Sequence, residues 1–255
     1  MASVSHALQD GTSTAGSSGN GLGAIVRMAT EFDIHSLRER GTSLVARVWN
    51  GPLSDRHGPP VRTGAIQLAK SGETVCGDAW YVESLGRRTF CAVVDGLGHG
   101  PQAAQAAQLA VESLRDHQTA SLTEQVHFAH LALRPTRGAA LGIAEILQDE
   151  GLVKFVGIGN VMAAVHEQGT SRNMVSQNGI LGHHIRRVTE FQYPWTESAM
   201  LVMCSDGINT HWDVNQYAGL CGRDPSLIAA TLYRDFSRGR DDTTVIVLKA
   251  SAVTS

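Results

Sequence analysis

The stretch FCAVVDGLGHG, residues 90–100, decides how this chain is read. Five apolar or small residues run straight into Asp95, as in a buried strand that ends on a carboxylate. Glycines then fill positions 96, 98 and 100, with His99 among them. Such a turn carries almost no side chains. It leaves room for ligands and lets the backbone approach them closely.

The pattern repeats. AMLVMCSDG (199–207) is a second apolar run, ending on Asp206-Gly207. Two more carboxylates stand just before strand-like runs: Asp78 in CGDAWYVE (76–83) and Asp241 in GRDDTTVIVLKA (239–250). One Asp-Gly alone is most often a turn former or helix cap. Four carboxylates at strand ends can gather along one rim of stacked antiparallel sheets. There they repel and raise each other's pKa. Arg240 is the one cation adjacent to these stretches, so hard divalent cations are the economical compensation, with Mg²⁺ and Mn²⁺ favouring carboxylate, carbonyl and water oxygens. The Gly96 carbonyl is a candidate ligand beside Asp95. His99 reads as a residue that holds the turn or caps the next helix.

Other chemistries fail on simple searches. No Cys is followed six residues later by Arg, no G-x-x-x-x-G-K-[ST] occurs, and no G-x-S-x-G occurs. His183-His184 and the other histidines lack zinc-like spacing with Cys. Cys76, Cys91, Cys204 and Cys221 include no C-x-x-C pair and read as buried free thiols.

The remaining segments suggest an α+β fold. Strand-like runs cover 61–70, 79–85, 89–96, 140–147, 152–159, 161–167, 172–177, 199–207 and 243–250. Helices are expected over 101–117, with Pro101 first, and over 121–133, with Ser121 and Glu124 at capping-box spacing. A third is expected over 224–238, with Asp224 as N-cap. This order predicts an antiparallel β-sandwich flanked by helices, not regular βαβ alternation. At the N-terminus, apolar residues at 25, 26, 28 and 32 predict a helix over 24–32, and DIHS and TSLVARVW flank RERG as a hairpin. The Gly-rich stretch 11–23 precedes that helix, an arrangement that can cradle phosphate. Residues 50–60, with three prolines, read as a linker between an N-terminal segment (1–49) and a main domain (61–250). A net charge of -3 with no Lys/Arg run argues against nucleic acid as a partner. No apolar stretch approaches a membrane span and no export signal is visible, so a cytoplasmic location is expected.

Taken in order, GDAW, VVDGLGHG, SDGI and GRDDTTVIVL resemble the metal-dependent type-2C (PPM) Ser/Thr protein phosphatases, and more closely their SpoIIE/RsbX/RsbU-like bacterial branch. The resemblance covers most of the chain, about 61–249. It implies that Asp95 bridges two divalent cations, Mn²⁺ or Mg²⁺, that Gly96 gives its carbonyl, and that Asp78, Asp206 and Asp241 are further ligands. A metal-activated water would then attack phosphorus with no protein nucleophile. Asp242 falls where the family has Asn or Asp, and GIGN (157–160) resembles a turn near the site. The phosphate-gripping arginine of the eukaryotic members has no clear equivalent, which implies recognition by docking to a protein. The implied substrate is a phosphorylated STAS-type antagonist of an anti-sigma factor, in a partner-switching pathway. Residues 1–49 resemble the C-terminal part of a GHKL-type ATPase, as in anti-sigma kinases. The helix carrying that fold's Glu and Asn is missing, which argues against ATP binding. Two alternatives stay open: a non-catalytic regulatory docking module, and the remnant of an anti-sigma serine kinase/phosphatase fusion.

Overall fold

The computed structural model describes residues 3–13, 18–50 and 61–251. Two short helices, α1 (Val4–Ala7) and α2 (Gly21–Met28), precede a hairpin of β1 (Glu31–Leu37) and β2 (Gly41–Arg47). Strands β3 (Val61–Leu68), β4 (Asp78–Leu85) and β5 (Arg88–Gly96) lead into α3 (Pro101–Asp116) and α4 (Leu122–Ala132). Next come β6 (Ala139–Leu147), β7 (Leu152–Ile158), β8 (Met162–Glu167) and β9 (Thr170–Asn173). Four short strands follow: β10 (Ser176–Gln177), β11 (Gly179–Ile180), β12 (His184–Ile185) and β13 (Phe191–Pro194). The described chain closes with β14 (Met200–Cys204), α5 (Pro225–Phe236) and β15 (Thr243–Ala250).

Two sheets stack face to face. The first has the order β10-β7-β6-β5-β4, with β13 also on β7; the second has the order β3-β15-β14-β8-β9. All pairs are antiparallel except the short β10–β7 contact. Cys91, Val93, Ile146 and Phe155 of the first sheet meet Val165, Leu201, Met203 and Ile246 of the second in a central core. The alternate residues of β5, Phe90, Ala92 and Val94, turn outward beneath α3 and α4. On the far side Val202, Cys204, Val245 and Val247 pack against Leu227, Ile228 and Leu232 of α5. Both faces of each central strand are therefore covered. That explains why FCAVV and AMLVMC are apolar at every position, where a half-exposed antiparallel strand would alternate. Each large side chain so buried contributes about 1.5–3 kcal/mol. The alanines at 103, 106, 107 and 110 let α3 lie close to the sheet.

Local signals behave as their chemistry dictates. Ser121 and Glu124 form the reciprocal capping box of α4, and the Asp224 side chain accepts the Ser226 N–H at the start of α5. Differences appear where β pairing competes with helix periodicity. The N-terminal helix stops at Met28, and Glu31 and Phe32 join β1, paired with Arg47 and Ala46. The run at 172–177 divides into β9 and β10, which pair with different sheets. Cys91 and Cys204 are buried as expected, but Cys76 is half-buried and Cys221 exposed. Most of the linker segment, 51–60, and residues 14–17 of the Gly-rich stretch lie outside the described residues.

The hairpin is clipped to α5. Arg47 grips Asp224 with two bonds, 2.7 and 3.0 Å, and Arg62 adds a third at 2.6 Å. Asp33 accepts the Asp224 N–H at 2.8 Å. Burial disfavours the Asp224 charge, yet Arg47, the Ser226 N–H and Arg62 together hold its pKa below the ordinary carboxylate range. Arg47→Ala leaves this buried carboxylate only partly compensated. The expected cost is about 2 kcal/mol in urea unfolding, while Glu31→Ala, which removes only the exposed partner of Arg47, is expected to cost under ~0.5 kcal/mol.

Candidate metal centre

Strand register delivers the carboxylates. Asp78 opens β4 and Asp95 lies near the end of β5, and the two face each other directly across the ladder. Asp206 follows β14, and Asp241 lies just before β15. β14 and β15 are adjacent in the second sheet, with Cys204 opposite Val245, so Asp206 and Asp241 emerge at the same end. The two sheets thus bring all four carboxylates to one rim. Among the described residues, no three His, Cys, Asp or Glu side chains are already at the spacing of ligands to one ion. They are near enough to act on one another electrostatically. Burial, then the charges of Asp78, Asp206 and Asp241, push the Asp95 carboxyl up to about 8. Burial also raises Asp78, to about 7, against the hydrogen bond from Ser205. Asp206 is raised by burial and by Asp241, while Arg238 and Asn160 oppose the shift.

Neutral neighbours fix these groups. The Ser205 hydroxyl donates to Asp78 Oδ2 at 2.7 Å, and its oxygen accepts the Thr244 N–H at 3.0 Å. Asn160 Nδ2 donates to Asp206 Oδ2 at 2.6 Å. Gly96 is buried against α3: a Cβ there would lie 2.2 Å from the Ala103 carbonyl oxygen. Its N–H donates to the Gly77 carbonyl at 3.2 Å. Asp242 is 3% exposed and accepts the Lys70 N–H on Oδ1 at 2.9 Å, while its buried Oδ2 has no partner among the described residues. His99 bonds Glu73 Oε1 at 2.6 Å and holds the turn, as its sequence position suggested.

The donor chemistry fits a hard divalent cation. The side chains gathered around Asp95 are carboxylates, the oxygen donors such ions favour. Such ions retain several waters and need few protein ligands, and bound cations would offset the repulsion that raises these pKa values. Burial pushes the Cys76 and Cys91 thiols up to about 11 and 12, which disfavours their thiolate forms. A groove of about 640 Å³ opens beside Asp78 between α3 and the 74–76 loop, with Trp80, Val75 and Gln105 on its walls.

Sequence reasoning missed the supporting shell. Ser205 and Asn160 sit inside SDG and GIGN, but a hydrogen bond across sheets has no spacing signature. The adjacency of Asn160 to an apolar run ending in Gly was the available signal.

Comparisons with known proteins agree with this geometry. The family model described as Stage II sporulation protein E (SpoIIE) matches residues 86–251, and so does not extend to the GHKL-like resemblance of residues 1–49. The phosphoserine phosphatase RsbX of Bacillus subtilis (strain 168) is 23% identical over 150 residues, 58% of this chain and 75% of RsbX. The stage II sporulation protein E of the same organism is 27% identical over 213 residues; that match covers 74% of this chain but only 26% of the relative. A crystal structure of RsbX in complex with magnesium superposes with a TM-score of 0.67 at 22% identity, over 75% of this chain and 96% of that one.

A carboxyl group whose pKa rises on folding favours the folded state while protonated. That contribution is complete below the unfolded value of ~3.9 and is lost as pH rises through the folded values of about 7 and 8 for Asp78 and Asp95. Chelator-treated protein is therefore expected to melt at lower temperature at pH 9 than at pH 6. Asp95→Asn should flatten that slope and hold or raise the melting temperature at pH 9. A drop of the size seen for a core substitution would instead make Asp95 a structural turn residue.

Proposed function

The chain belongs to the SpoIIE family of PP2C-type protein phosphatases, and on that premise we propose that it hydrolyses phosphoserine or phosphothreonine on a STAS-type antagonist of an anti-sigma factor. The observation that carries this reading is the meeting of Asp78, Asp95, Asp206 and Asp241 at one rim, beside a turn nearly bare of side chains. The cofactors are two divalent cations, Mn²⁺ or Mg²⁺. Asp95, the Gly96 carbonyl, Asp78, Asp206 and Asp241 are the groups that would hold them, with Asp95 between the other carboxylates. When bound, the cations supply an activated water at neutral pH and offset charge on the phosphoryl group.

The chain's own residues do the orienting. Ser205 holds Asp78 through Oδ2. Asn160 does the same for Asp206. Both bonds favour the ionised carboxylate over its protonated form, which prepares the site for cations. The buried strands beneath the rim keep the carboxylates from spreading outward. Direct attack by water needs no protein nucleophile. RsbX, a phosphoserine phosphatase by name, supports the substrate class. The groove beside Asp78 gives the polypeptide around the phosphorylated residue a place to lie. Among the described residues no helix is long and apolar enough to cross a membrane.

Purified protein is expected to release phosphate from a phosphoserine STAS protein, and from p-nitrophenyl phosphate, in Mn²⁺ or Mg²⁺, and to stop in EDTA. Asp206→Asn and Asp241→Asn should each need more metal for half-maximal rate, whereas Asp95→Asn should stay slow at any metal concentration. Equal rates with and without chelator would defeat the metal mechanism. Release from p-nitrophenyl phosphate but not from the STAS protein would leave the phosphatase reading and remove the substrate.

A further inference from the structure

The turn beyond β5 is bare, and one cation leans on it. Gly98 has φ +85°, in the region that favours glycine, and a Cβ built there would lie 3.1 Å from Nη1 of Arg137. Arg137 belongs to the loop between α4 and β6. The backbone fixes its place beside the rim. Ala139 pairs with Gly96, the Leu97 N–H donates to the Gly138 carbonyl at 3.0 Å, and His183 Nε2 donates to the Arg137 carbonyl at 2.8 Å. The Thr136 hydroxyl oxygen accepts the Gly138 N–H at 3.0 Å, closing the loop behind it.

The guanidinium itself is exposed and has no carboxylate or carbonyl partner among the described residues. Arg38, Arg134, Arg172, Arg186 and Arg187 are also exposed with no acidic partner among the described residues, so what distinguishes Arg137 is its place against the turn. Arg47, Arg62, Arg88, Arg223 and Arg234 each hold a carboxylate. Arg238 bonds the Gly207 carbonyl through its own N–H, and its charge bears on Asp206. Arg137 instead lies against backbone that has no side chain to meet it. An arginine paired with an acid has its charge already engaged. One left open, next to a turn that keeps substrate space clear, is suited to a transient anionic ligand.

We propose that Arg137 is a substrate-binding residue that grips the phosphoryl oxygens over the Gly98 turn. Its planar fork matches two oxygens of one phosphate. The turn's lack of a side chain lets both approach. This rests on the phosphatase reading above, and it supplies a phosphate-gripping arginine from a loop where the family resemblance offered none.

The test uses the full chain with Mn²⁺, steady-state hydrolysis of p-nitrophenyl phosphate, and calorimetric binding of inorganic phosphate. Arg137→Ala and Arg137→Gln are expected to raise KM and the phosphate Kd on the order of 10- to 100-fold, the loss of a charge-assisted bond. The Mn²⁺ concentration for half-maximal rate and the melting temperature should not move. Arg137→Lys should recover part of the affinity as a point charge. KM and phosphate Kd within about twofold of the unsubstituted chain in both neutral variants would overturn the proposal. So would a fall in melting temperature for Arg137→Ala with full phosphate affinity in Arg137→Gln, which would make the residue a loop holder. An unsubstituted chain that binds phosphate but hydrolyses nothing with metal would fail the phosphatase reading instead, leaving Arg137 to be judged on the binding data alone.

Discussion

Two carboxylates facing each other across an antiparallel ladder set the terms for the rest of the molecule. Asp78 and Asp95 are partners in register, where cross-strand side chains come closest and like charges are unfavourable. A surface pair could swing apart into water. These are held in a largely buried rim, joined by Asp206 and Asp241 from the other sheet. The surrounding groups are chosen to tolerate that crowding without neutralising it. Ser205 and Asn160 donate neutral hydrogen bonds, and Arg238 acts on Asp206 through its charge. A lysine or arginine placed among the four would quench the site's affinity for cations.

The cost of gathering these charges is offset by packing elsewhere. Each central strand is covered twice, by the opposing sheet on one face and by helices on the other. Hydrophobic burial there is continuous and does not depend on the rim, so strand ends can be given over to chemistry. The same layering fixes direction. β5 and β14 carry their apolar runs toward the rim and end at Asp95-Gly96 and just before Asp206, while β4 and β15 begin beside it. Antiparallel neighbours running to and from one edge are what let four distant sequence positions meet.

This logic was legible in the sequence where it is local. Apolar runs that end in Asp-Gly announced both the doubly covered strands and the candidate ligands, and Ser121, Glu124 and Asp224 announced helix starts through caps that act within a few residues. What pairs at long range was not. The short strand β13, which extends the sheet from β7, carries alternating exposure in FQYP and no strong turn signal. β10 has two residues and exists through its parallel contact with β7. The end of α2 was misplaced because Phe32 continued an apolar spacing that the hairpin, not a helix, satisfies. Arg137 carried no spacing cue; its interest comes from lying against the Gly98 turn, a property only coordinates reveal.

The contact at Gly96 also bears on how such a protein can change over generations. With the Ala103 carbonyl 2.2 Å from where any Cβ would stand, the backbone of the reactive turn and the first turn of α3 occupy adjoining space. Every single-residue replacement at 96 must displace a helix before it can alter a ligand. Routes that retune the site by stepwise substitution therefore start elsewhere, at exposed positions such as 97, 99 and 137, where a side chain can change without moving a layer. The turn is a fixed point in the neighbourhood of sequences this fold can explore, and diversity among relatives should accumulate around it.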